Sequence, residues 1–386
     1  MVGGVDKYYQ IAPCFRDEDP RADRLYGDFY QLDVERAFVE DGEEIRLEME
    51  VLIQNLVKDF AGKDLVSAEI PRIAYEDAMN IYGSDKPDLR FGMTLVDLDE
   101  TLATTEFAVF KNAKKVKAIC VKGAASMTRS QIDHFTEIAK KEGAGGLAYL
   151  TFVDDGIKSP IAKFLSETEL AEITAKTGAE DGDIVFFGAG KPATVNKVLG
   201  RMRNEFADFY DLKDKNKVAL CWVVDFPFYE YDEQNRKVDF GHNPFSLPKG
   251  GVAVLETAKT DADKLAIKAD QYDMVMNGYE ICSGAVRNYN PEVMYKAFSI
   301  LGYDEHFVEE KFGAMLEAFK FGAPPHAGCA FGLERIFMVL TGEDNIREVV
   351  AFPKSAAGVD LMMASPSDVE PKQLSELKLV LDIDFD

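Results

Sequence analysis

The side chains with the greatest chemical potential fall in three short stretches. The first is FRDEDPRADR, Phe15 to Arg24, a charge-dense segment followed closely by DFYQLDVE, Asp28 to Glu35. If the second segment is a strand, alternation puts Phe29, Gln31, Asp33 and Glu35 on one face, with Tyr30, Leu32 and Val34 on the other. The loop adds Arg16, Glu18, Arg21 and Arg24. Such a set suits a charged, planar ligand: arginine for phosphate or carboxylate, glutamate for an exocyclic amine, phenylalanine for ring stacking. The competing reading is a solvated charged loop.

The second stretch is YDMVMNGYEICSGAVRNYN, Tyr272 to Asn290. Asn277-Gly278 signals a two-residue type I′ hairpin turn. A regular register sets Met276 opposite Tyr279, Val275 opposite Glu280 and Asp273 opposite Cys282. Asp273 and Glu280 then become diagonal neighbours, about 6–8 Å apart. Two carboxylates so close repel unless a cation relieves them, and Mg²⁺ accepts one or two carboxylates alongside phosphate oxygens. Arg287 falls on the opposite face unless a bulge at Ser283-Gly284 turns it back. The competing reading is an exposed edge hairpin. The third stretch is HAGCAFGLERIFMVLTG, His326 to Gly342. Its small residues, Gly328, Cys329, Ala330 and Gly332, would let a ligand approach the backbone. They precede a helix predicted to begin near Leu333, with Arg335 in its first turn, where anions are favoured.

Four segments must position these groups. Lys7 to Phe15 and Asp28 to Glu35 read as the arms of a long-looped hairpin. Ile45, Met49, Leu52, Leu56 and Phe60 recur at helical spacing over Glu43 to Phe60. From Phe91 the texture changes. Strand-like KVKAICV, helix-like SQIDHFTEIAKK, strand-like LAYLTFV, helix-like IAKFLSETELAEI, strand-like DIVFFGA and a helix from Pro192 to Phe209 follow in order. This alternation predicts a compact α+β block. The first texture resumes at VALCWVVDF, Val218 to Phe226. The expected organisation is therefore residues 1–90 as the first part of one domain, 91–212 as an inserted α+β domain, and 213–386 as the second part.

Composition narrows the class. The formal net charge is −24, with 44 Lys+Arg against 68 Asp+Glu, so any nucleic-acid contact must come from a local basic groove. Five scattered cysteines without C-x-x-C fit reduced thiols. No uncharged run of 18 apolar residues occurs and the N-terminus has no signal-peptide pattern, so a cytoplasmic protein without membrane contact is expected. Gly188-Ala189-Gly190-Lys191 mimics a phosphate loop, but Val185 stands where the first glycine is required and Pro192 where Ser or Thr is. The acidic tail, Asp382 to Asp386, reads as a solvated terminus.

Taken in order, CFRDEDPRADR with FYQLDVE resembles motif 2 of the class II aminoacyl-tRNA synthetases, and GLER, Gly332 to Arg335, resembles their motif 3. NGYEICSGAVR, the GHNPF around His242, TGEDNIREVVAFPK ending at Lys354 and the inserted block, similar to a GAD-type domain, resemble the bacterial aspartyl branch of that family. The resemblance covers essentially the whole chain. It implies an α+β fold: a class II antiparallel-sheet catalytic domain interrupted by the inserted α+β GAD-type domain. The implied activity is ATP-dependent activation of L-aspartate and its transfer to tRNA, for the aspartate acceptor alone or for the aspartate and asparagine acceptors both, with Mg²⁺ on the ATP.

The resemblance also implies roles. Arg16 would hold the α-phosphate and substrate carboxylate, with Asp17 beside it. Glu18 would face the adenine amine and Phe29 would stack on adenine. Asp273 and Glu280 would place Mg²⁺. Gly332, Leu333, Glu334 and Arg335 would line the ATP, with Arg335 on the γ-phosphate. Arg287 would pair with the aspartate side chain, Asp33 would lie near its ammonium, and His242 would lie beside the amino-acid pocket. Three family features have no counterpart: the N-terminal OB-type anticodon domain, motif 1, and the aspartate-binding segment before motif 2. The expectation is a C-terminal fragment of a homodimeric parent, poorly active alone. The alternatives are a stand-alone paralogue activating aspartate for another acceptor, and a non-catalytic binding or regulatory module.

Overall fold

A computed structural model describes residues 1–381; the acidic tail, Asp382 to Asp386, lies outside the described residues. The chain divides into two units, residues 1–10 with 33–331, and residues 11–32 with the chain from Gly332 onward. The elements that matter are, in chain order, β1 (Lys7–Arg16), β2 (Gly27–Ala37), α1 (Glu43–Asn55), β3 (Arg72–Ala74) and α2 (Tyr75–Tyr82). The middle block supplies β4 (Leu95–Asp97), β5 (Lys115–Val121), α3 (Arg129–Lys141), β6 (Ala148–Val153), β7 (Gly156–Lys158), α4 (Glu167–Thr177), β8 (Ile184–Gly190) and α5 (Pro192–Phe209). Then follow β9 (Leu220–Val224), β10 (Gln271–Met276), β11 (Tyr279–Val286), β12 (His326–Gly332) and α6 (Leu333–Thr341).

One seven-stranded sheet runs in the order β1-β2-β12-β11-β10-β9-β3. It is antiparallel at β9/β10, β10/β11 and β11/β12, and parallel at β9/β3. Every residue of β10 is buried, as a central strand covered on both faces must be. The exposed edge hairpin considered for Tyr272 to Asn290 is therefore wrong: the hairpin lies inside the sheet. The Val218 to Phe226 run that reads as one strand forms β9 over its middle five residues. Helix α1 buries Ile45, Met49 and Ile53 at spacings of four and passes into a π-helical turn, Leu56–Phe60.

Residues 95–190 build a separate five-stranded sheet, β4-β5-β8-β6-β7, with an apolar core on each side. One core gathers Ile119, Phe135, Phe186 and Phe206, the other Leu98, Phe110, Leu150 and Phe187. The alternation read from the sequence thus holds, with one correction. The predicted helix IAKFLSETELAEI is split: Ala162–Phe164 is a single 3-10 turn, and α4 starts only after Ser166. The Ser166 hydroxyl accepts from the Glu169 amide while the Glu169 carboxylate accepts from the Ser166 amide. This reciprocal cap fixes the start of α4 and leaves Ile161 and Leu165 as plugs in the core.

Candidate functional site

In the larger unit the carboxylate hairpin turns as its sequence demands. Asn277 and Gly278 both have positive φ, 51° and 87°, the conformation a type I′ turn needs. Met276 pairs with Tyr279 and Val275 with Glu280, but then Met274 pairs with Cys282 and Asp273 with Ser283. Ile281 is the extra residue of a bulge. The expected Asp273/Cys282 pair is therefore shifted by one, and the bulge lies nearer the turn than Ser283-Gly284. Beyond it, alternation puts Ser283, Ala285 and Arg287 on the Asp273 face. One irregularity thus gathers Asp273, Glu280 and Arg287 on the same side.

Asp273 is fully buried. Burial first, and the Glu280 charge second, push its carboxyl well above the usual range, while a hydrogen bond from Ser283 and the nearby Lys86 work the other way. Its Oδ1 is buried without a hydrogen-bond partner. A lone buried carboxylate oxygen beside a second carboxylate fits a hard divalent cation, which would complete its shell with water and phosphate oxygens. Among the described residues no group of three or more His, Cys, Asp or Glu is arranged to hold a metal.

The sequence reading missed Lys86. Its Nζ lies 3.2 Å from Glu280 Oε2 and 2.9 Å from Asp85 Oδ2. Burial pulls this ammonium down, and Glu280 and Asp85 outweigh it, so the group is held above its ordinary value. The only signal was a turn-forming Gly83-Ser84-Asp85-Lys86-Pro87 segment, which reads as a connector when nothing reveals what it faces.

Arg287 meets Glu35 of β2. Its Nε and one terminal nitrogen donate to Glu35 Oε1 at 2.9 and 2.5 Å. Burial works against the guanidinium charge and the Glu35 carboxylate outweighs it, so Arg287 is firmly ionised. Glu35 Oε2 is buried with no partner. Asp33, two residues earlier, accepts from Gln10 at 2.8 Å and from the Tyr8 hydroxyl at 3.4 Å. Burial, then Asp33 and Glu35, raise the Tyr8 phenol. His242 is placed differently. Its ring packs on Tyr75 and Phe226, 5.8 and 5.2 Å between centroids, with Glu230 at 3.7 Å.

The small residues Gly328, Cys329, Ala330 and Gly332 lie on β12, which runs directly into α6. A Cβ on Gly328 would sit 2.2 Å from the Val34 carbonyl oxygen and 2.4 Å from Glu35 Cδ. At Gly328 the smallness admits the neighbouring strand and the Glu35 carboxylate.

In the smaller unit, Arg16 ends β1 and its guanidinium lies 5.2 Å from the centre of the Phe29 ring, a cation–π contact. Glu18 Oε2 pairs with Arg24 at 2.5 Å. Asp17 is exposed. Gly332 caps α6, Leu333 begins it, and Glu334 Oε1 accepts the Tyr30 amide at 2.9 Å. Burial raises the Glu334 carboxyl and that amide offsets part of the rise. Arg335 donates to the Asp23 carbonyl at 3.2 and 3.3 Å and lies 3.4 Å from the Asp23 carboxylate. Lys354 pairs with Asp28 at 2.7 Å. The charged loop is thus threaded by ion pairs and backbone contacts to α6, rather than being merely solvated.

Residues 1–356 match the model of a family described as tRNA synthetases class II (D, K and N), and the chain belongs to that family. Among curated proteins it is 49% identical to an aspartate–tRNA(Asp/Asn) ligase of Pelodictyon phaeoclathratiforme, over 99% of this chain and 63% of that protein. It is 48% identical to one of Rickettsia bellii, over 99% of this chain and 64% of that protein. The chain therefore spans a little under two thirds of the length of these relatives. A solved structure of the aspartyl tRNA synthetase from Entamoeba histolytica matches 91% of this chain and 48% of its own, at 19% identity and a TM-score of 0.44, too low to bear on the fold. Among the described residues no helix is long and apolar enough to cross a membrane.

Proposed function

We propose that the chain carries the ATP- and aspartate-binding chemistry of an aspartate–tRNA ligase that, in line with its relatives' names, serves the aspartate and the asparagine acceptors. The observation that carries this is Arg287, a half-buried guanidinium held charged by Glu35 and lying on the same strand face as Asp273 and Glu280. Its bidentate-capable fork selects a carboxylate side chain, as a site for lysine would not. Asp33 receives the substrate ammonium, and His242 borders the amino-acid pocket. Arg16 steadies the α-phosphate, with Asp17 beside it, Glu18 faces the adenine amine, and Phe29 stacks on the base. Gly332, Leu333, Glu334 and Arg335 bind the ATP, with Arg335 on the γ-phosphate. Residues 91–212 are the inserted GAD-type domain, and the parent enzyme is a cytoplasmic homodimer.

In the first step an aspartate α-carboxylate oxygen bonds to the α-phosphorus of ATP and the bond to the bridging oxygen breaks, releasing pyrophosphate. In the second, a terminal ribose hydroxyl of tRNA attacks the activated carbonyl and AMP leaves. Asp273 and Glu280 would hold Mg²⁺, which would supply charge to neutralise the phosphates. Arg16 and Arg335 oppose the charge that develops on the phosphates, so catalysis is chiefly positioning and electrostatics. Isotope exchange between pyrophosphate and ATP, with each amino acid in turn, tests the reading. Weak exchange driven by aspartate and no other amino acid, and lost in a full-length homologue carrying the change equivalent to Arg335→Ala, is the expected result. Exchange driven by another amino acid, or by none together with no measurable ATP binding, overturns it.

A further inference from the structure

The segment after α2 is an unusually constrained piece of chain for a connector. Gly83 closes α2 in the left-handed conformation. The Lys86 amide donates to Ser84 Oγ at 3.0 Å, and Pro87 restricts Lys86 to extended backbone. Asp88 is buried and takes the Arg90 guanidinium. Arg203 of α5 donates to the carbonyls of Asp88, Phe91, Gly92 and Met93 at 2.9–3.1 Å. On its other side the segment lies against the Asn277-Gly278 turn: a Cβ on Gly278 would be 3.3 Å from Asp88 Cβ and 3.8 Å from the Lys86 carbonyl. The hairpin that carries Asp273 and Glu280 and the segment that carries Lys86 are therefore fixed against each other.

What this scaffold holds in place is one ammonium among three carboxylates. Lys86 Nζ contacts Glu280 and Asp85, and both Lys86 and Asp85 act on the buried Asp273. Without a cation, two neighbouring carboxylates in a buried setting are costly to ionise together. We propose that Lys86 is the resident counter-cation of the Asp273/Glu280 pair, a positioning residue that orients Glu280 through its 3.2 Å ion pair and that a divalent ion must displace from Glu280 on binding. This rests on the metal role given above to Asp273 and Glu280. The ammonium carries one charge where the incoming ion carries two, so exchange is favoured but opposed, and the opposition sets the metal affinity.

Mn²⁺ binding to the intact chain without nucleotide, followed by electron paramagnetic resonance of the free ion, tests the idea. Lys86→Gln is expected to tighten binding about tenfold, the loss of one bonded competitor, with unchanged stoichiometry. Lys86→Arg, which keeps the charge, should stay within about twofold of the parent, as should Lys237→Gln, which removes a surface charge paired with Asp239. Glu280→Gln should lose the site in either background. Lys86→Gln binding Mn²⁺ no more tightly than the parent, while Glu280→Gln still abolishes binding, overturns the role of Lys86 alone. Binding unaffected by Glu280→Gln overturns the metal role of Glu280, and the present inference with it. Tightening of equal size in Lys237→Gln reduces the effect to bulk charge and also overturns it.

Discussion

Asp273 shows how a single side chain can be placed against its own interest. Its carboxyl is raised by burial and by Glu280, so the folded chain binds that proton more tightly than the unfolded one. Stability tied to the group is therefore greatest below the ordinary carboxylate value and declines as pH rises through the elevated folded value. Asp273→Asn, which removes the charge at little cost in shape, should raise Tm by about 2 °C or more at neutral pH. The gain should shrink as pH falls into the carboxylate range, and thermal melts across that range check it. A gain that persists undiminished in acid would contradict the assignment. Glu35 and Arg287 make the opposite case. Glu35→Ala strands a half-buried guanidinium and should cost about 1–3 kcal/mol in urea unfolding; a loss below about 0.5 kcal/mol would mean the pair is replaceable by solvent. The carboxylate pair was legible in the sequence because Asn-Gly fixes the turn. Lys86 was not, because its meaning depends on a hairpin nearly two hundred residues away.

Between elements, the decisive event is the bulge at Ile281. Nothing in Glu280-Ile281-Cys282 announces it; each residue suits a regular strand. Its effect is nevertheless to switch the facing of everything beyond it, so a reading based on strict alternation places Arg287 on the wrong side unless it allows for such a break. Helix ends fared better where chemistry marks them: Pro192 at the first turn of α5 is exact, and Ser166 with Glu169 would have corrected the false start at Ile161 had the cap been weighed above the apolar run. The small residues of β12 were legible as a demand for space but not as to what fills it, since β2 comes from the far end of the chain. Gly328→Ala should accordingly be among the most damaging substitutions, at about 3 kcal/mol or more, with the Val34 carbonyl and Glu35 in its way. Denaturant midpoints for Gly328→Ala and Gly332→Ala, the latter open to solvent on its Cβ side apart from Arg335 at 3.9 Å, give the comparison; equal midpoints would remove the packing argument.

At the scale of the molecule, the change of texture near Phe91 correctly announced a second sheet, because two independent apolar cores leave two independent patterns in the sequence. What the pattern could not convey is how firmly the block is fastened. Arg203 is almost fully buried, packs on the rings of Phe91 and Tyr82 at 4.1 and 5.1 Å, and is pulled down to about 10 by burial. Arg203→Ala should cost about 3 kcal/mol or more, since four carbonyls lose a charged donor at once. It should also loosen amide exchange around residues 88–93, and protection factors unchanged there would refute the clamp. At the join itself, a Cβ on Gly83 would sit 2.3 Å from the Asn196 carbonyl oxygen, and one on Gly200 would sit 2.2 Å from the Gly83 carbonyl oxygen. Main chain touches main chain there, with no side chain between. The five-stranded block is consequently not a cartridge. A chimera that exchanges it for another block must bring a matching glycine at the same height on its last helix, or the graft will pry open the segment that holds Lys86.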